Sequence, residues 1–128
     1  MHPIICDSTI DLPKVVLDKE KGEFLFEGLS MCEDAFHFYE PIIAWIKQYG
    51  SAPNPKTEVR FKISYFNTAS SKMLLDVMLH FDAIYRMGHD VSIHWHYRPE
   101  DEDMQEAGEI YASKLDIPVY VFEDEAMD

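Results

Sequence analysis

Residues 59–88, VRFKISYFNTASSKMLLDVMLHFDAIYRMG, change from one hydrophobic period to another within a few positions. Residues 59–65 alternate apolar and polar side chains, and this period of two predicts a strand with one polar face. From Thr68 onward the apolar residues recur at helical spacing, which predicts a core-facing helix over about 68–87 that Gly88 ends. A strand followed at once by a helix is the repeating unit of α/β proteins.

The same two periods continue along the rest of the chain. Apolar runs on either side of the turn sequence DKEKGE predict a β-hairpin over residues 14–29. Ser30 and Glu33 fit a capping box at the start of a helix over 33–49, in which Pro41 predicts a kink or a later start. The later elements predicted in this way are a strand over 91–97, a helix over 101–115 and a strand over 117–122.

The predicted element order is β-β-α-β-α-β-α-β, within a single domain that spans residues 1–128. Strands that alternate with helices imply right-handed crossovers and parallel neighbours. We therefore expect an α/β fold with a mixed, mostly parallel sheet of about five strands, opened by the hairpin and packed with helices. A chain of 128 residues is long enough to bury a core without disulfides or metals.

The formal net charge of -13 limits the classes of partner. Nucleic-acid binding depends on neutralising phosphates with Lys and Arg, so this chain is predicted to bind no nucleic acid. An anionic membrane surface is disfavoured for the same reason, and no apolar segment approaches the roughly 18 residues of a membrane span. A basic protein surface would be attracted instead, although acidity alone also keeps a protein soluble.

The amino terminus and the cysteines favour a cytoplasmic protein. MHPIICDSTIDLPK lacks the basic start and apolar core of a secretory signal. Cys6 and Cys32 stand alone, in neither C-x-x-C nor zinc-ligand spacing, which fits a reducing compartment.

Recognisable catalytic motifs are missing from the sequence. The five glycines are far apart, so there is no Gly-rich phosphate-binding loop, and no G-x-S-x-G nucleophile elbow exists. The sequence predicts a protein with no cofactor, no nucleotide turnover and no catalysis of its own.

Two alternatives remain open on the residues alone. His94 and His96 project from the same side of their strand and could serve a metal or small-molecule site, but no third ligand follows by spacing. The polar face of an alternating strand accounts for both, so no metal site is predicted. The second alternative is a small hydrolase or transferase with Thr68 or Ser70 as nucleophile, which would need a general base within reach.

Three hydroxyls, on Thr68, Ser70 and Ser71, crowd the start of the predicted helix. Either Asn67 or Thr68 could cap this helix by accepting hydrogen bonds from its first N–H groups. A phosphate on Thr68 would lie among those N–H donors at the positive end of the helix, where anions are stabilised.

A ridge runs along the same helix from the hydroxyl cluster. Thr68, Lys72, Leu75 and Leu79 follow one another at helical spacing beside the core stripe. Lys72 can reach a phosphate on Thr68, and we expect Leu75 and Leu79 to be exposed apolar anchors for a partner.

The string YFNTASSK, with HDVSIHWHY and EDEDMQEAGEIYA downstream, resembles the SiaC-type regulatory phosphoproteins over nearly the whole chain. Its most specific element is N-T-x-S-x-K, which Asn67, Thr68, Ser70 and Lys72 match. Ala69 replaces a serine that is common in one branch, which rules out a second phosphosite at that position. More distantly, the element order is similar to that of the STAS domains of anti-sigma-factor antagonists.

The resemblance implies a partner-switching protein. In such systems a dedicated kinase phosphorylates the threonine that matches Thr68, and a PPM-type phosphatase removes the phosphate. The unphosphorylated form binds a target, which in one branch is a diguanylate cyclase. The resemblance thus implies that Thr68 is the phosphosite, with Asn67, Ser70, Ser71 and Lys72 around it.

Overall fold

The structure is a computed structural model that describes residues 1–127. These residues form six strands and three helices. In chain order the elements are β1 (Ile4–Cys6), β2 (Lys14–Asp18), β3 (Glu23–Ser30), α1 (Ala35–Tyr49), β4 (Thr57–Phe66), α2 (Thr68–Arg86), β5 (Val91–Tyr97), α3 (Glu102–Ser113) and β6 (Val119–Glu123).

All six strands belong to one sheet, in the order β1-β2-β3-β4-β5-β6. The pairs β1–β2 and β2–β3 are antiparallel, whereas β3–β4, β4–β5 and β5–β6 are parallel. This arrangement confirms the mixed, mostly parallel α/β fold and the opening hairpin. The sheet has one strand more than predicted, because β1 has only three residues, too few to show a period.

The helices cover one face of the sheet. Each parallel connection contains one helix and advances the sheet in the same direction, so right-handed crossovers place all three helices on the same side. Phe26, Phe61 and Trp95 are fully buried on that side. The other face carries half-exposed polar side chains such as Arg60 and Lys62. We call it the open face.

Helix α1 begins later than the capping box predicted. Asp34 is the N-cap, and its carboxylate accepts a hydrogen bond from the backbone N–H of His37 at 3.2 Å. Ser30 is instead the last residue of β3, buried and paired with Phe66 of β4, because the strand extends further than its apolar run. The helix then continues through Pro41 to Tyr49.

Strand β4 contains a bulge that reverses the predicted orientation of Tyr65. Gly28 of β3 pairs with Ile63, but the next residue, Leu29, pairs with Tyr65, so Ser64 is the extra residue. The bulge turns Tyr65 to the open face, where it is 54% exposed. The alternating pattern had predicted Tyr65 on the same side as Ile63, and that prediction is wrong.

No helix in residues 1–127 combines the length and the apolar character needed to cross a membrane.

Candidate functional site

The start of α2 is fixed by Asn67 rather than by Thr68. The Asn67 side-chain oxygen accepts a hydrogen bond from the Ser70 backbone N–H at 2.9 Å, and its amide nitrogen donates to the Cys32 carbonyl at 2.9 Å. The backbone N–H of Asn67 donates to the Ser30 carbonyl at 3.1 Å. Of the two possible caps, the structure selects Asn67, which also ties the helix to the loop after β3.

Thr68 is the first residue of α2, and its side chain is exposed. Within residues 1–127 its hydroxyl takes part in no hydrogen bond, since Asn67 performs the capping. A phosphate-transferring enzyme can therefore approach this hydroxyl without breaking a capping interaction.

Ser70 lies below the surface. It is completely buried, and its hydroxyl accepts a hydrogen bond from the Ser30 hydroxyl at 2.9 Å. Because Ser30 has only one proton to donate, Tyr39 must donate its own to Ser30 across the 2.7 Å contact. Burial raises the pKa of Tyr39, which keeps the phenol protonated. Ser70 is thus a structural hydroxyl joining α2 to β3 and α1, in a network that sequence spacing could not indicate.

Ser71 is half-buried, and its polar groups are engaged. Its hydroxyl donates to the Thr68 carbonyl at 2.8 Å, and its own carbonyl accepts a hydrogen bond from the Tyr111 hydroxyl at 2.9 Å. Tyr111 belongs to α3, so this bond fixes the first turn of α2 against the neighbouring helix. Of the three hydroxyls at the junction, only that of Thr68 is both on an exposed residue and without a hydrogen bond within residues 1–127.

The electrostatic environment of Thr68 suits an anion. The first turn of α2 contains no acidic residue, so its N–H groups keep their full positive character. Lys72 is exposed one helical turn after Thr68, and in the described part of the chain its ammonium has no carboxylate within 4.0 Å. Both features would stabilise a phosphate on Thr68.

The predicted ridge borders an apolar groove. Leu75 is less exposed than predicted: it is half-buried against the core and lines a groove of about 260 Å³ between α2 and α3. The groove's other walls include Ile110, which is 47% exposed, and Lys72 and Lys114 stand at its rim. Leu79 is 41% exposed but lies outside this groove. Ile110, which forms the α3 wall, was not predicted, because it belongs to a different element from the ridge.

His94 and His96 both lie on β5 with their rings on the open face. The Nδ1 atom of His96 lies 2.9 Å from an Asp124 carboxylate oxygen, and its Nε2 lies 3.2 Å from the Arg60 guanidinium. A guanidinium can only donate, so Nε2 accepts and Nδ1 donates to Asp124. Protein groups thus engage both nitrogens of His96. His94 Nε2 lies 3.0 Å from the Ser92 hydroxyl.

Burial lowers the pKa of both histidines, which favours their neutral forms. Among residues 1–127 no group of three or more His, Cys, Asp or Glu side chains is placed to hold a metal ion.

Comparison with known proteins shows which family this chain matches. The family described as "SiaC family regulatory phosphoprotein" matches residues 6–123. An uncharacterized protein of Pseudomonas aeruginosa strain UCBPP-PA14 is 24% identical over 118 residues, which cover 92% of this chain and 94% of that protein.

Solved structures share the fold over almost the full length. SiaC of Pseudomonas aeruginosa superposes with a TM-score of 0.85 at 21% identity, over 97% of this chain and 100% of that one. A structure of the diguanylate cyclase SiaD in complex with its activator SiaC, from the same organism, matches with a TM-score of 0.88 at 21% identity. That match covers 94% of this chain and 99% of the other. The family match over residues 6–123 places this chain in the SiaC family of regulatory phosphoproteins.

Proposed function

We propose that this chain is a regulator without catalysis of its own, whose binding to a target protein is controlled by reversible phosphorylation of Thr68. The observation that carries the proposal is the free, exposed hydroxyl of Thr68 at the start of α2, with the cap supplied by Asn67. Family membership supports a phosphorylated regulator.

The target that we propose is a diguanylate cyclase. Support comes from the solved complex in which SiaC is the activator of the diguanylate cyclase SiaD. The surface proposed for the target is the ridge of α2, where Leu75 and Leu79 supply apolar contacts about two and three helical turns after Thr68. Apolar groups in a partly formed groove are typical of protein interfaces.

Phosphorylation would release this target by local electrostatics. A phosphate adds about -1.5 to -2 charges at neutral pH. Enclosing that charge in an apolar interface, where Lys72 alone does not balance it, costs on the order of several kcal/mol. Since a factor of ten in affinity corresponds to about 1.4 kcal/mol, this is enough to release a micromolar partner.

In the free protein, by contrast, the phosphate would be hydrated, close to Lys72 and to the first N–H groups of α2. A kinase adding the phosphate and a PPM-type phosphatase removing it complete the proposed cycle. The resemblance to partner-switching proteins motivates both enzymes.

Phosphosite mapping tests the proposal. The purified chain is incubated with ATP and extract of its native cells, and the product is examined by intact mass and peptide mapping. We expect one phosphate, on Thr68, and none on the Thr68→Ala variant. The control variant Ser71→Ala should be phosphorylated as the wild type is. Phosphate on Ser71, or no phosphate on Thr68, would overturn the proposal.

A further inference from the structure

Two apolar side chains lie next to each other on the open face at the carboxyl end of the sheet. Leu29 and Tyr65 are paired in register between β3 and β4 and are 37% and 54% exposed. The bulge at Ser64 is what turns Tyr65 towards solvent. Gly28, the residue of β3 just before the register shift, has a φ of 109°, a conformation that glycine adopts readily.

This pair is close to Thr68. Tyr65 precedes Thr68 by three residues, which at about 3.3 Å per residue limits their separation to roughly 10 Å. The pair belongs to the open face, whereas Leu75 and Leu79 project from a helix that packs on the covered face. Thr68 therefore lies between two separate apolar surfaces.

Thr68 is also held in folded structure. Its neighbours Asn67 and Ser71 are hydrogen-bonded to the loop after β3 and to α3, and the Thr68 carbonyl accepts from the Ser71 hydroxyl. A kinase that bound residues around Thr68 as an extended peptide would have to break these bonds. A kinase that phosphorylates the native protein must instead recognise surfaces that exist only in the fold.

Two cations lie on the same face as the apolar pair. Lys14 and Lys62 are half-buried, and within residues 1–127 neither ammonium has a carboxylate within 4.0 Å. Glu27 lies between them in the sheet register but is not within ion-pairing distance of either. Asp124 lines the same pocket as these lysines, and Lys62 is one of the charges that lower the pKa of its carboxyl group, so the field of Lys62 is partly offset. Because neither lysine forms an ion pair within the described residues, both can still contact carboxylates on a partner surface.

We propose that Leu29 and Tyr65, with Lys62 beside them, form the docking surface for the kinase that phosphorylates Thr68. The inference rests on the proposed function, because it requires Thr68 to be the phosphosite. It assigns the kinase to the open face and leaves the ridge of α2 to the target. The matching kinase surface is apolar, with carboxylates at its rim.

The test measures the initial rate of Thr68 phosphorylation by intact mass, with ATP and native-cell extract as the source of kinase. Tyr65→Ser is compared with Tyr120→Ser, which removes an equally exposed tyrosine from the same face. Tyr120 is paired with His94, which is paired with Arg60, so the three residues lie at the same level of the sheet. Arg60 precedes Tyr65 by five residues, which separates Tyr120 from Tyr65 by about 17 Å along the strand direction. Lys62→Glu is compared with Lys21→Glu, an exposed lysine in the hairpin turn.

We expect Tyr65→Ser and Lys62→Glu each to lower the rate on the order of tenfold, as removal of an interface anchor does. Tyr120→Ser and Lys21→Glu should stay within twofold of the wild type. A thermal melt of each variant checks that the fold is retained. If the wild type is phosphorylated on Thr68 but each variant is phosphorylated at the same rate as its control, the docking surface alone would be overturned. Wild-type protein without phosphate on Thr68 would overturn the proposed function as well.

Discussion

At the scale of single residues, Asn67 and Thr68 divide two tasks at one helix end. The Asn67 side chain satisfies an N–H group of the first turn, and Thr68 exposes its hydroxyl. The capping residue contributes to stability, whereas the adjacent hydroxyl is free to be modified.

Asn67→Ala should therefore destabilise the protein more than Thr68→Ala. We expect Asn67→Ala to lower the free energy of unfolding by about 1–2 kcal/mol, because it removes the cap and the bond to the Cys32 carbonyl. Thr68→Ala should change it by less than about 0.5 kcal/mol, as an exposed position with no capping role does. Urea unfolding followed by circular dichroism measures both, and the reverse order would contradict the assignment of the cap.

His96 gives stability a pH dependence whose sign follows from its environment. Burial lowers the pKa of His96 in the folded protein, against the opposing effect of Asp124. Between the folded and unfolded pKa values the unfolded chain binds more protons. The stabilisation contributed by neutral His96 is therefore fully present above about pH 6.5. It is lost as the pH falls through the lowered pKa of His96 in the folded protein.

When the pH is lowered from 7.5 to 5.5, the free energy of unfolding should fall less for His96→Gln than for the wild type. Denaturant unfolding at a series of pH values gives, for each protein, the slope of the unfolding free energy against pH. The variant is compared by slope and not by absolute stability, since it also removes contacts with Arg60 and Asp124. His37→Gln, at an exposed position on α1 where Asp34 raises the histidine pKa, should shift the slope in the opposite direction. Equal slopes for His96→Gln and the wild type would contradict this account.

At the scale of elements, hydrophobic period was enough to predict the helices and the longer strands. The period gave a wrong prediction where a tertiary interaction decides the orientation of a side chain or the start of an element. The bulge after Ile63 depends on pairing with β3, so the alternation in the sequence predicted the wrong face for Tyr65. The start of α1 failed similarly, since Ser30 is a good cap by type but is held in β3 by its pairing with Phe66.

The contact between α3 and the sheet also depends on one residue without a side chain. A Cβ atom on Gly108 would lie 2.4 Å from Cδ1 of Trp95, which is completely buried. Gly108→Ala should lower the unfolding free energy by about 1–3 kcal/mol through overpacking, even though alanine favours helices.

The control for Gly108→Ala is Glu109→Ala, an exposed position on the same helix, which should be nearly neutral. Thermal or urea unfolding of both variants is the measurement. A Gly108→Ala protein as stable as the wild type would show that α3 can move away from Trp95.

At the scale of the whole molecule, the candidate site combines parts that the sequence could and could not indicate. The N-T-x-S-x-K string and the helix start are local, so Thr68 could be selected from the sequence. The network of Ser70 with Ser30 and Tyr39 joins three elements, and no short-range pattern marks it. The single domain, the absence of catalysis and the likeness to STAS domains stay predictions.

The ridge of α2 should affect target binding but not phosphorylation. Leu75→Asp places a charge in the groove between α2 and α3, so we expect weaker binding to a diguanylate cyclase encoded in the same genome. Phosphorylation of Thr68 should continue at the wild-type rate. Ala83→Asp, an exposed position further along α2 that is not part of this groove, is the control for the added charge. Loss of binding in both variants, or in neither, would contradict a specific role for Leu75.

Control of binding through Thr68 is tested by titration calorimetry, which compares the affinity of the unmodified and the Thr68-phosphorylated chain for that cyclase. We expect phosphorylation to raise the Kd at least about a hundredfold, which corresponds to roughly 2.7 kcal/mol. Thr68→Ala protein treated with the same kinase source and ATP should bind as tightly as the unmodified wild type. Equal affinity of the two wild-type forms, or weakened binding of treated Thr68→Ala, would contradict control through Thr68.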